Sequence, residues 1–277
     1  MPIIEHLSSA EYFAADGISK SGLDLIARSP AHFRYAAPRV ASRNMEMGTA
    51  IHTAILEPER FASEYMLLRD VEDRRASAYK EAVKVHGSER VLTCPESDKV
   101  AGMQESVWLN TDAAKFLRDS RTRTELSIFT TDPVTGVAVK CRFDALLGVA
   151  ALDLKKTQDV RSDVFMRSVW NYRYHVQAAF YADVFEWETG ESLDDFQFLA
   201  IEEEAPNASK LYRLPHDLIA YGRKLYRADL NTYAACLEYG HWPAIDGSCE
   251  VLNPAGWMLA IIENDADESG MTFGDEE

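Results

Sequence analysis

Two stretches of strict alternation, Val137–Asp144 and Leu152–Lys155, constrain this chain more than any other feature of its 277 residues. In the first, Val139, Cys141 and Phe143 alternate with Lys140, Arg142 and Asp144. That is the period of a strand giving one face to a core and the other to a cleft. In the second, Leu152 and Leu154 alternate with Asp153 and Lys155. Neighbouring strands of this kind would present Asp144, Asp153 and Lys155 on one surface, with Lys140 and Arg142 pointing the same way. Ahead of them, Leu126–Thr130 and the turn residues Asp132-Pro133 and Thr135-Gly136 predict a hairpin with Val137–Leu147. Ala150–Leu154 follows as a third strand, and Phe196–Ile201 as a later one.

The intervening segments read as helices. Ser19 or Ser21 caps a run beginning near Gly22, Ser29-Pro30 opens a second short helix, and Met47–Leu56 is a buried helix with His52 near its middle. Amphipathic helices are predicted over about 70–85 and 96–118, the second capped by Thr93 with Pro95 in its first turn. A long helix runs from about Val164 to Trp187 and ends near Gly190, and another covers Pro215–Tyr239. Strands alternating with helices give an α/β chain with a central mixed β-sheet flanked by helices. Residues 1–262 are expected to form one domain, helical to residue 123 and carrying the sheet from 124. The segment from Trp242 to Trp257 reads as irregular, and 263–277 as a mobile acidic tail.

The formal charge of −16 argues against nucleic acid when taken alone, because duplex binding is driven by Lys and Arg neutralising phosphates. Distribution changes the reading. Residues 263–277 hold seven acidic side chains and no basic one, whereas Ser19–Arg43 carries Lys20, Arg28, Arg34, Arg39 and Arg43 against Asp24 alone. There is no apolar run approaching about 18 residues and no basic leader, so neither a membrane partner nor export is expected, and the cytoplasm is. Cys94, Cys141, Cys236 and Cys249 lie far apart with no CxxC pair, which predicts reduced thiols without a disulfide or zinc ribbon.

Two carboxylates beside a lysine suit Mg2+, with Mn2+ as a substitute, because a hard cation takes oxygen ligands and keeps several waters. Such a metal polarises a phosphoryl oxygen and activates water, while the lysine orients that water or balances charge. Taken singly, Asp144 and Asp153-Leu154-Lys155 read equally well as solvated strand charges. Their company says more: Ser19-Lys20-Ser21-Gly22-Leu23, Ser29-Pro30-Ala31-His32-Phe33, Gly48-Thr49-Ala50-Ile51-His52, Lys140-Cys141-Arg142-Phe143-Asp144, Asp153-Leu154-Lys155 and Tyr174-His175-Val176-Gln177-Ala178-Ala179-Phe180-Tyr181 follow one another in that order. With these six motifs, over roughly Ser19–Ile201, the chain resembles the RecE-type (exonuclease VIII-like) and RecB-like branch of PD-(D/E)xK nucleases.

The resemblance implies a Mg2+-dependent DNA exonuclease. It implies that His52, Asp144 and Asp153 hold the metal, the Leu154 carbonyl assisting, and that Lys155 positions the attacking water. Gln177 and Tyr181, four apart on one helix face with Tyr174 and Trp170 extending the stripe, would orient Lys155 or the phosphate. Glu125 resembles an acidic residue that some relatives hold near the metal. Lys140 and Arg142 are placed to grip DNA phosphates, Arg through its planar fork. The resemblance further implies processive 5′-to-3′ digestion from the ends of linear double-stranded DNA by a homo-oligomeric ring. The 3′ single strand would pass to a RecT-type annealing partner in a bacterial, prophage or phage recombination pair. Relatives with an iron-sulfur cluster need one cysteine near the N-terminus and three near the C-terminus, a pattern this sequence lacks, so no cluster is expected. A different class of function is a catalytically silent, acidic DNA mimic or partner-binding protein on the same fold. A sequence-specific endonuclease lacks a base-reading module here.

Overall fold

The computed structural model describes residues 3–37, 41–254, 256 and 258–261, and the sequence signals resolve there into helices packed on a sheet. In chain order the first elements are β1 (Ile4–Glu5), α1 (Ser9–Ala14), α2 (Lys20–Arg28), α3 (Pro30–Arg34), α4 (Arg43–Leu56) and α5 (Pro58–Glu64). Then come β2 (Met66–Leu68), α6 (Ser77–His86), β3 (Val91–Thr93), α7 (Cys94–Leu109), α8 (Thr111–Arg118), β4 (Arg123–Thr131) and β5 (Ala138–Leu147). Last are β6 (Ala150–Thr157), α9 (Ser162–Asn171), α10 (Tyr174–Thr189), β7 (Asp195–Glu202), β8 (Ser209–Arg213) and α11 (His216–Tyr239).

Local chemistry explains most boundaries. Ser29 accepts the His32 N–H with Pro30 in the first turn of α3, and Ser42 accepts the Met45 N–H, which starts α4 ahead of Met47. Ser8 and Glu11 form a reciprocal cap that starts α1, a helix not foreseen above. Two long predicted helices are each broken. Asn110 ends α7 and its side chain accepts from Ala113 to start α8. Arg173, at φ 55°, separates α9 from α10 and so puts Trp170 on a different helix from Gln177. The helix predicted over 70–85 begins only at Ser77; just before it β2 pairs in parallel with β3.

The main sheet has the order β1-β4-β5-β6-β7-β8, antiparallel throughout except for the parallel pair β6–β7. It is the mixed, helix-flanked sheet expected. One apolar cluster joins Val139, Cys141, Phe143, Ala151 and Phe198 to Val176, Ala179 and Phe180 of α10. The other joins Leu152, Leu154, Leu199 and Ile201 to Ala50, Ile51 and Ala54 of α4 and Met103 and Val107 of α7. Gly222 is what lets α11 close on α10, since a Cβ there would collide with the His175 carbonyl oxygen.

The body just described spans residues 1–244; residues 245–277 form a separate small unit whose described residues are exposed throughout. The acidic tail at 263–277 lies outside the described residues, as does Arg39. All four cysteines are free thiols. No helix among the described residues is long and apolar enough to cross a membrane.

Candidate active site

β5 and β6 share only three rungs, Leu147↔Ala150, Leu146↔Ala151 and Ala145↔Leu152. Beyond them the strands part, and the Asp144 carboxylate takes the place of a ladder acceptor by receiving the Leu154 N–H at 2.8 Å. A backbone donor left without a strand partner thus fixes an acidic side chain in the opening. Across β4, Glu125 adopts φ 50° and lies with Asp144 between the rungs Leu126↔Phe143 and Thr124↔Ala145. Phe143 belongs to the cluster under α10 and Ala145 to the cluster under α4, so the alternation slips at Asp144.

That slip corrects the expectation that Lys140, Arg142 and Asp144 line one cleft face. Lys140 is buried, and its ammonium donates to the carbonyls of Tyr12 (2.9 Å), Phe13 (3.5 Å) and Ala15 (2.5 Å) at the end of α1. It anchors the N-terminal segment and has no free donor for a phosphate. Arg142 donates to Ser127 Oγ (3.0 Å), lies 3.6 Å from Glu125, and packs 4.4 Å from the centroid of the Tyr12 ring. Its place is therefore behind Glu125. Within the basic segment, Arg43 is taken up by Glu46 and Glu96 (2.9 and 2.6 Å), and Lys20 by Asp24 (2.7 Å), leaving Arg28 and Arg34 exposed.

α4 buries Ala50, Ile51 and Ala54 and thereby carries His52 to the edge of the opening, Nδ1 at 3.5 Å from Asp144 Oδ2. Ligating atoms of His52, Glu125 and Asp144 all lie within 4.8 Å of one another. Asp153 and Lys155 approach from the side of α10. Gln177 donates to Asp153 Oδ1 at 2.5 Å, and the Lys155 ammonium sits 2.6 Å from Oδ2. Oδ2 is buried, and the Lys155 ammonium is the group that faces it. Lys155 also rests 4.6 Å from the centroid of the Tyr174 ring. Tyr181 packs edge-on against Phe143 and Phe196, at 5.2 and 6.1 Å, and Leu154 gives the site its amide while its side chain stays in the core.

The electrostatics follow from crowding. Burial first, and the Asp144 charge second, push the Glu125 carboxyl up to about 7. Burial likewise raises Asp153, with Lys155 opposing and Asp144 adding to the rise. Burial pulls the half-buried Lys155 ammonium down, but the Asp153 and Asp144 carboxylates outweigh it and hold the group above the ordinary lysine range. The imidazole of His52 and the carboxylates of Glu125 and Asp144 form a donor set that fits a divalent cation, with the Asp153 carboxylate near enough to feel Asp144 and His52.

A pH effect follows. Between the usual carboxylate range and about pH 7, folded Glu125 holds a proton that the unfolded chain has released. Stability of the metal-free protein therefore falls as pH rises through that window, by roughly 3 kcal/mol at most from this residue. Glu125→Gln is expected to raise the melting temperature at pH 8 and to leave it nearly unchanged at pH 4.5, with Mg2+ giving the wild type a comparable gain at pH 8. An unaltered pH profile in the variant would refute the assignment.

Sequence reasoning missed Tyr12, on which Arg142 packs, and Ser127, which holds its guanidinium. It also missed Glu57, whose charge adds to the rise at Glu125. The signal for Tyr12 was present as Ser8…Glu11, a reciprocal cap with the tyrosine directly after it.

A mixed sheet covered by helices, opened between two strands around a carboxylate cluster, defines a PDDEXK-like domain. The chain belongs to the family described as a PDDEXK-like domain of unknown function (DUF3799), which matches residues 19–254. Its fold is similar to that of a protein from Eubacterium rectale described as a "putative exonuclease", with a TM-score of 0.60 and 12% identity over 93% of this chain and 98% of that one. A second solved structure, of SSO0001, gives a TM-score of 0.29 and 14% identity over 68% of this chain and 85% of that one, too little to carry an argument. No curated protein matches.

Proposed function

We propose that this chain is a Mg2+-dependent DNA exonuclease of RecE type, digesting linear duplex DNA from its 5′ ends. The observation that carries this reading is the opening between β5 and β6, where His52, Glu125 and Asp144 converge beside the Asp153–Lys155 ion pair. Asp144, Asp153 and His52 would hold the metal, with the Leu154 carbonyl and Glu125 assisting. When bound, it supplies positive charge to a phosphoryl oxygen and acidifies water. Lys155, kept cationic by its neighbours, is a donor that orients water and offsets phosphate charge; it is not a base. Gln177 fixes Asp153 through Oδ1 and leaves Oδ2 to Lys155. The Tyr181 hydroxyl, pushed well above its ordinary value by burial, stays a neutral donor. A homo-oligomeric ring would gather the exposed Arg28 and Arg34 of several copies around DNA, which suits a chain of net charge −16. The 3′ strand it leaves is a substrate for a RecT-type annealing protein in the bacterial cytoplasm.

The test is digestion of linear duplex labelled at either the 5′ or the 3′ end, with and without Mg2+, comparing wild type with Lys155→Ala. Metal-dependent loss from the 5′ end, abolished in the variant and absent on closed circles, is expected. A folded protein that degrades nothing with any divalent cation would refute the reading and leave a silent, partner-binding protein in its place.

A further inference from the structure

Beside Lys155 a file of aromatic rings runs from the core to the surface. Phe198 of β7 is fully buried; Tyr174, the first residue of α10, stacks on it at 5.5 Å and 23°. Tyr172 stacks on Tyr174 in turn, at 5.7 Å and 25°, and is 63% exposed. Among the described residues no other ring meets Tyr172, so the file has an open end. Because the Lys155 ammonium lies 4.6 Å from the centroid of Tyr174, that open end is one ring away from the proposed site.

Tyr172 is not exposed because its loop is loose. It closes α9, and Arg173 then turns the chain through a left-handed conformation into α10. The turn is pinned on both sides: Lys20 donates to the Tyr172 carbonyl at 2.6 Å, while Arg173 pairs with Asp24 at 3.0 Å and Asp229 at 2.5 Å. Fixing a tyrosine ring face-out in water gains the fold nothing, since its burial would have been favourable. A flat aromatic face beside a phosphodiester site matches the π-face of a nucleobase, which stacks on such rings whatever its identity. Within a duplex both faces of a base are already covered by its neighbours, so only an unpaired or terminal base can reach the ring.

We propose that Tyr172 is a stacking platform for an unpaired base adjoining the phosphate at the site, so that the substrate class is DNA ends carrying unpaired nucleotides. This rests on the nuclease reading above. The platform selects frayed or overhanging ends over fully paired ones and holds the strand against Lys155.

The experiment uses the full chain with Ca2+ replacing Mg2+ and duplexes ending in four unpaired nucleotides, one of them 2-aminopurine. Wild type quenches the 2-aminopurine fluorescence on binding. Tyr172→Ala loses the quench and binds about tenfold more weakly, Tyr172→Phe restores both, and an end with abasic residues binds wild type and Tyr172→Ala alike. Because the ring is exposed and the Lys20 contact is to backbone, Tyr172→Ala keeps the wild-type melting temperature. Retained quench and affinity in Tyr172→Ala, or an equal loss on the abasic end, would overturn the proposal while leaving cleavage by the wild type intact. A wild type that neither binds these ends nor cuts DNA with Mg2+ sinks the nuclease reading and the platform with it.

Discussion

Asp144→Asn is expected to lower metal-dependent cleavage by about 10³-fold or more while leaving the protein folded. The carboxylate has two duties that this substitution separates. As an acceptor it satisfies the Leu154 N–H at 2.8 Å, and an asparagine side-chain oxygen does that equally well. As a charge it stands against His52 and Glu125 in the cluster that fits a cation, and an amide brings no charge to it. Losing several kcal/mol of metal-borne stabilisation corresponds to the stated factor, each tenfold being about 1.4 kcal/mol. Asp144→Ala adds a stability defect of about 1–3 kcal/mol, because it orphans the Leu154 amide. The measurements are initial rates of duplex digestion beside thermal melting. Full activity in Asp144→Asn would place the metal elsewhere.

Leu154→Asp is expected to unfold the domain outright. Leu154 is 2% exposed and packs with Ile51, Val107 and Ile201 between the sheet and the helices α4 and α7. An aspartate there loses about 2 kcal/mol of apolar burial and puts an unpaired carboxylate among Ile51, Val107 and Ile201 in a dry interior. The total, about 4 kcal/mol or more, is a large part of what a domain of this size holds. Leu154→Ala, with a cavity and no charge, serves as the milder control at about 2–5 kcal/mol. Urea unfolding followed by circular dichroism reads both, and a wild-type midpoint for Leu154→Asp would show that its side chain does not face the core. Asp153→Ala is a poorer test than sequence alone suggests, because Asp153 is itself buried and its loss strands Lys155 without a partner.

Much of the fold was legible because its signals are local. The Asp132–Gly136 turn, the Ser29-Pro30 start and the Leu152–Lys155 alternation each depend on residues within one turn or strand, and each is where the pattern put it. The breaks at Asn110 and Arg173 were hidden because neither is a proline or glycine; an asparagine cap and a left-handed arginine pinned by Asp24 and Asp229 ended helices that periodicity would have continued. The site residues His52, Asp144, Asp153, Lys155 and Gln177 are brought together, whereas Lys140 is withdrawn to the N-terminal segment. That withdrawal is a long-range event: it depends on α1 presenting its last carbonyls to β5 and on the slip at Asp144, and strict alternation contains neither.

The early parting of β5 and β6 has a consequence for how such a site is inherited. A sheet normally consumes its amides in its own ladder; here one amide is exported, and whatever side chain answers it is locked to the position where the zipper stops. The backbone at that position asks only for an acceptor, which an amide side chain supplies as well as an acid does, whether or not the chain cuts anything. An acceptor beyond the last rung therefore marks where the site lies and is no proof of activity. The ion pair of Asp153 Oδ2 with Lys155, which no ladder requires, is the more telling witness.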